Sequence, residues 1–215
     1  MSSTISLRES IRWLPDAASE PTHTIVLTGR KTSVFIDVRF LKDSNDIDWA
    51  FGGYRSVVRE GDTELIKFTH LIDSRTRNPS QMTDYGSNTG LPDGTTLETG
   101  EMINPATGKL TAYEEIWRDV EVVGSADGNT SLFLHNADGT SWYARVGDWQ
   151  LALGRDSADN FWAFQARRSD KKWVVERSTR PTGAIILLSD DILKNWAEGS
   201  KVQWNEDHWL ILEKS

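Results

Sequence analysis

A nineteen-residue segment occurs twice in this chain. Val38 to Ser56 reads VRFLKDSNDIDWAFGGYRS, and 113 residues further on Leu151 to Ser169 reads LALGRDSADNFWAFQARRS. Aligned without a gap, the copies share Asp43/Asp156, Ser44/Ser157, Asp46/Asp159, Trp49/Trp162, Ala50/Ala163, Phe51/Phe164, Arg55/Arg168 and Ser56/Ser169. An interval close to half of 215 residues points to two tandem copies of one domain, since solenoid repeats recur every few dozen residues.

Around the repeat the periodicity is that of strands. Val34, Ile36, Val38 and Phe40 alternate with Phe35, Asp37 and Arg39, the pattern of a strand with one buried face. Trp49, Phe51 and Gly53 share a face of the returning strand, matched by Trp162, Phe164 and Ala166. Ile66, Phe68, His70 and Ile72 are expected to point one way. Residues 73–94 are rich in polar and turn residues and read as a long loop holding one short strand. The turn Asn-Pro-Ala-Thr-Gly-Lys at 104–109 sets the expected division into domains 1–106 and 107–215. One segment reads as a helix: Ser189 caps it, Asp190 and Asp191 suit its positive end, Ile192, Leu193, Trp196 and Ala197 form a stripe, and Gly199 ends it. Short antiparallel strands joined by tight turns, with almost no helix, predict an all-β protein of two tandem antiparallel β-barrels and one short C-terminal helix.

Composition narrows the functional classes. Ten tryptophans give each half enough apolar area for a core. With no cysteine there are no disulfides and no thiolate metal sites. The net charge of −8 argues against nucleic-acid backbones and anionic membranes. The first residues lack the basic-then-apolar pattern of a secretion signal, and no apolar run approaches the ~20 residues of a membrane span, so a cytoplasmic or nuclear location is expected.

Catalytic signatures fail on inspection. Gly108-Lys109-Leu110 lacks both the earlier glycine and the hydroxyl residue of a phosphate loop. The acidic turn at Asp43, Asn45, Asp46 and Asp48 lacks the central glycine and trailing glutamate of a calcium loop. His23, His70, His135 and His208 show no zinc spacing. Glu114 and Glu115 are neighbours on one strand and point to opposite faces, so they are not a glycosidase pair. Neither a nucleophile elbow nor a cysteine nucleophile is present. No cofactor and no metal is therefore expected.

The candidate ligand-binding residues are Trp49, Phe51, Arg55 and His70 in the first half, and Trp162, Phe164 and Arg168 in the second. His70 shares a face with apolar residues and reads as a hydrogen-bonded core or barrel-mouth histidine, with a functional histidine as the alternative. Arg55 and Arg168 lie four residues past Phe51 and Phe164, where an inward arginine would hold a carboxylate and an outward one would form a salt bridge. An eight-stranded barrel is just wide enough to be filled by its own side chains or to hold one small ligand. The two readings are a non-enzymatic interaction or regulatory module with filled barrels, and a carrier of a small apolar or carboxylate ligand inside one barrel.

Asp48-Trp49-Ala50-Phe51-Gly52-Gly53, Glu98-Thr99-Gly100 and Tyr113 to Trp117, in this order, resemble the fungal HRI family, named for interaction with a yeast casein-kinase-I homologue. The resemblance extends over most of the chain, including the closing unit around Leu193 to Leu212. It implies two lipocalin-like barrels, a cytoplasmic and nuclear protein, and a casein-kinase-I-type enzyme as partner. It carries no catalytic residues.

Overall fold

The computed structural model describes residues 2–61, 63–122 and 131–215. Eight strands make up the first unit: β1 (Thr4–Trp13), β2 (Thr22–Thr28), β3 (Val34–Leu41), β4 (Ile47–Glu60), β5 (Thr63–Asp73), β6 (Tyr85–Gly90), β7 (Thr96–Ile103) and β8 (Leu110–Val120). Each pairs antiparallel with the next, and β8 returns to β1 with Ile5 opposite Val120 and Trp13 opposite Tyr113. The sheet is thus a closed barrel without free edges. The expected division at residue 106/107 falls inside this barrel. The turn at 104–109, with Asn104 N–H donating to the Lys109 carbonyl, joins β7 to β8, and β8 is the strand that closes the ring, so the first unit runs to Val120.

The second unit holds β9 (Ser131–Asn136), β10 (Ser141–Val146), β11 (Trp149–Arg155), β12 (Phe161–Ser169), β13 (Lys172–Ser178), β14 (Lys201–Trp204) and β15 (Asp207–Lys214), ordered β13-β12-β11-β10-β9-β15-β14. It is an open sheet, and the expected second closed barrel does not form. Pairing of β15 with β9 repeats that of β8 with β1, but among the described residues no strand links β13 to β14. The chain between them carries Pro181, a 3-10 turn (Thr182–Ala184) and helix α1 (Asp190–Asn195) instead of alternating strand residues. Ser189 caps α1 by accepting from Ile192 N–H at 3.4 Å. The helix stops at Asn195, because Trp196 is already extended, and Gly199 with its φ of +75° shapes the later turn into β14.

The two units share one core. The expectation of a single buried face on β3 is corrected: both faces are buried. Val34, Ile36, Val38 and Phe40 point out of the barrel and pack on Phe133, Trp142, Val146, Trp149, Leu151 and Leu153 of the second sheet. Phe35, Asp37 and Arg39 point in, and the charged pair tolerates the interior because its members bond each other. Gln165 stitches the junction by donating from Nε2 to the carbonyls of His23 and Val38 at 2.8 and 2.9 Å. The fully buried Glu213 accepts from the backbone N–H groups of Lys31 and Thr32 at 3.1 and 2.8 Å.

A bulge in the β4–β5 ladder sets the site. Gly52 faces Ile72, but Gly53 faces His70, so Leu71 is the extra residue and is 48% exposed. His70 and Phe68 therefore face the barrel interior, while Ile72 joins the core between the units; the four residues expected on one face are split. Glycine is required at 53, where a Cβ would lie 1.9 Å from the Thr69 carbonyl oxygen.

Candidate ligand site in the first barrel

The interiors of the two units differ in kind. In the second, Leu188 and Leu193 from the β13–β14 connection pack among Tyr143, Trp162, Phe164 and Trp209. Gln150 holds Leu188 like a ladder partner, donating from Nε2 to its carbonyl at 2.9 Å and accepting its N–H at 2.8 Å. Arg145 also donates to that carbonyl, at 3.1 Å, and to Asp190 Oδ1 at 2.5 Å. The connection thus plugs the half-barrel that it fails to close.

The first barrel contains a cavity of about 130 Å³. Its rim includes the exposed Arg55, Asn88 and Asp119, and its buried wall includes Phe35, Phe51, Asp37, Arg39, Asp84, Glu98 and Glu115. Charged residues line it because period-two alternation on β3, β7 and β8 turns Asp37, Arg39, Glu98, Glu115 and Trp117 inward together. Asp37 and Arg39 bond at 2.8 Å, and Arg39 also reaches Glu115 at 3.3 Å. Glu115 accepts from Arg8 at 2.5 Å, and Arg8 continues to Glu20 at 2.9 Å, closing the end of the barrel opposite the rim. The Arg39 guanidinium lies 5.0 Å from the Trp49 ring and 5.5 Å from the Phe51 ring, a cation–π arrangement in a desolvated place. Burial acts against its charge, but Asp37 and Glu115 hold its pKa well above the usual arginine value.

His70 lies flat on Phe51, with ring centres 4.3 Å apart, and is bracketed by two carboxylates: Nδ1 to Asp73 at 2.7 Å and Nε2 to Asp84 at 3.0 Å. Burial alone would lower its pKa, yet the two hydrogen bonds and both negative charges raise it. Two carboxylate oxygens flanking one ring favour the imidazolium, in which both nitrogens donate. Asp73 also accepts the Trp49 indole N–H at 3.1 Å. Glu98 differs from these groups: it accepts from the Tyr113 hydroxyl at 3.1 Å, and burial with the nearby charges of Glu115 and Asp84 pushes its pKa up to about 8. Space for this pair comes from glycines, since a Cβ at Gly86 would meet Glu98 at 2.8 Å and one at Gly100 would meet Tyr113 at 2.7 Å. The Trp117 indole N–H is buried in the cavity wall without a hydrogen-bond partner among the described residues.

The candidates named from the sequence separate into two groups. Trp49, Phe51 and His70 meet in the first barrel, with centroids 4.3 to 5.7 Å apart, and Arg55 sits exposed at its rim. Trp162 and Phe164 lie in the plugged interior of the second unit. Arg168 pairs with Asp190 at 2.6 Å and Asp148 at 3.8 Å, with its guanidinium 4.8 Å from the Trp173 ring. Asp37, Arg39, Glu98 and Glu115 escaped sequence reading because charged residues within an alternating strand look solvent-facing, and Asp84 because it lies in a polar loop just before β6. The glycine two residues after Glu98 was the available signal, but it has meaning only once Tyr113 is known to lie opposite.

No curated protein and no solved structure matches the chain. The model of one family, described as Protein HRI1, matches residues 4–213, nearly the whole chain and both units just described. The chain belongs to the Protein HRI1 family.

Proposed function

We propose that the protein is a non-enzymatic binding protein whose first barrel is a compartment for one small ligand, in the manner of a lipocalin, and whose second unit is a buttress. The observation that carries this reading is the contrast between a 130 Å³ cavity reaching an exposed rim in one unit and a filled interior in the other. The unpartnered Trp117 indole N–H supports it, because a buried donor in a cavity wall is left for whatever enters. Trp49 and Trp117 lie beside Arg39 and make intrinsic fluorescence the natural readout. Titration with a panel of fatty acids, aromatic amines and apolar dyes is expected to give saturable quenching at one site per chain. Two equivalent sites would overturn the assignment to one barrel, and a flat response across the panel would overturn the reading.

A second reading rests on a different surface. At the β7–β8 hairpin the cross-strand pair Ile103 and Leu110 is 57% and 64% exposed, and Leu14 beside it is 38% exposed. Apolar side chains gathered at an exposed strand end suit protein docking, and the casein-kinase-I-type partner implied by the sequence resemblance is the one to test. Co-purification with such a kinase, lost on Ile103→Glu with Leu110→Glu, is the expected result. Association unchanged by the double substitution would remove this surface.

A further inference from the structure

The buried carboxyl groups in the cavity wall can be matched to cations one by one. Asp37 has Arg39 at 2.8 Å, Glu115 has Arg8 at 2.5 Å, and Asp84 has protonated His70 at 3.0 Å. Glu98, 8% exposed, has only the neutral Tyr113 hydroxyl, on Oε1. Its Oε2 carries no hydrogen bond among the described residues, and the side chain lines the cavity. The same wall holds Phe35 and Phe51, with ring centres 5.7 Å apart, and Trp117. One acid with no counter-ion among the described residues, in a pocket of aromatic faces, suits an organic cation.

Resting on the compartment reading above, we propose that the first barrel takes a small organic cation, an ammonium or amidinium group on a compact apolar body, with the Glu98 carboxylate as its ion-pair partner. An anionic ligand fits less well. Arg55 is at the rim, whereas the buried wall presents four carboxyl groups to one guanidinium. The proton balance follows from the groups facing Glu98, namely Tyr113 and Glu115 on β8, Asp84 before β6 and Arg39 on β3. Burial and the two acids keep the carboxyl protonated when no cation is near, so entry of an ammonium group expels that proton to solvent. Binding is therefore tighter at pH 8 than at pH 6.

The test is isothermal titration of the full chain with three ligands sharing a phenyl ring: 2-phenylethylamine, 2-phenylethanol and 3-phenylpropionate. The amine is expected to bind at least about tenfold more tightly than the alcohol, with the carboxylate weakest. In buffers of different ionisation enthalpy at pH 7, amine binding should release most of one proton, because an acid with a pKa of about 8 is largely protonated there. Glu98→Gln, which keeps the size of the side chain and an acceptor for Tyr113, is expected to abolish the proton release and weaken the amine at least about tenfold while leaving the alcohol unchanged. Should the variant fail to fold, proton release by the unmodified protein still decides. Equal affinity for amine and carboxylate, or amine binding without proton release, would overturn the cation assignment and leave the compartment standing. Binding of none of the three, together with a flat fluorescence panel, would overturn both.

Discussion

Trp49 and Trp162 stand at matching points of two copies of one hairpin, yet their surroundings have little in common. Trp49 and Phe51 are packed with Arg39 and His70, whereas Trp162 and Phe164 are packed with Tyr143 and the leucines of the plug. The difference traces to four positions. At the sites 113 residues beyond Asp37 and Arg39 stand Gln150 and Ala152. Across the next ladder, Gly53 faces His70 while Ala166 faces Val175, and Phe51 faces Asp73 while Phe164 faces Ser178. A charged interior cannot collapse, because each ion must keep its own partner at bonding distance, and space is left beside the network. The second interior is apolar except for Arg145, which is tied to the Leu188 carbonyl and Asp190 of the plug itself, so it draws in Leu188 and Leu193 and dispenses with a closing strand. The backbone repeat thus fixes the hairpin, and four side chains decide whether it surrounds a cavity or a plug.

The sharpest way to break this comparison is to give the second unit the first unit's charge. Ala152→Arg, at a fully buried site with no carboxylate at position 150, is expected to cost about 5 kcal/mol by urea unfolding. A loss below about 1 kcal/mol would mean that the second interior tolerates an unpaired ion at this position. Next in size is the dependence on pH. His70 and Glu98 both hold their protons more tightly folded than unfolded, so each stabilises most at low pH. The contribution of His70 is complete below about 6.5 and is lost as pH rises through its higher folded value; that of Glu98 is complete below about 4.5 and is lost by about 8. Between pH 5 and 8 the Glu98 contribution should therefore fall by about 4 kcal/mol, and Glu98→Gln should remove that part of the slope. A slope identical in that variant would show that the carboxyl is not the group titrating.

The bulge offers a smaller test. Gly53→Ala drives a methyl group into the Thr69 carbonyl and is expected to cost about 3 kcal/mol, whereas the mirror change Ala166→Gly should cost only about 1 kcal/mol. Similar losses at the two sites would mean that the ladders do not differ as described. Smallest is the plug strap: Gln150→Ala leaves the Leu188 N–H short of its acceptor in a buried place, for about 2 kcal/mol in the melting curve. A change within about 0.5 kcal/mol would show that the connection is held by its leucines alone.

The parts of the fold legible in the sequence were those set by neighbouring residues. The alternation of Val34 to Phe40, the shared aromatic face of Trp49 and Phe51 and the Ser189 cap all depend on local spacing. What escaped depends on partners distant in sequence. The turn at 104–109 looks the same whether it joins two domains or two strands of one barrel, and only the pairing of Ile5 with Val120 decides. The missing eighth strand of the second unit was hidden because Ile185, Leu187 and Leu188 supply apolar side chains without needing a ladder. At the site, the aromatic residues stood out by type. Glu98 did not, because a glutamate between Leu97 and Thr99 reads as solvent-facing until Gly86 and Gly100 are seen to clear a space for it.

Joining β1 to β8 also fixes when the molecule can mature on the ribosome. One edge of β1 is covered early, with Ile5 opposite Leu27, but its other edge stays open until Val120 has emerged, and β9, paired early with β10, waits for β15 in the same way. For most of its synthesis the nascent chain therefore carries open strand borders at its leading end, which makes it slow to fold and dependent on protection from neighbouring chains until the latching strands arrive.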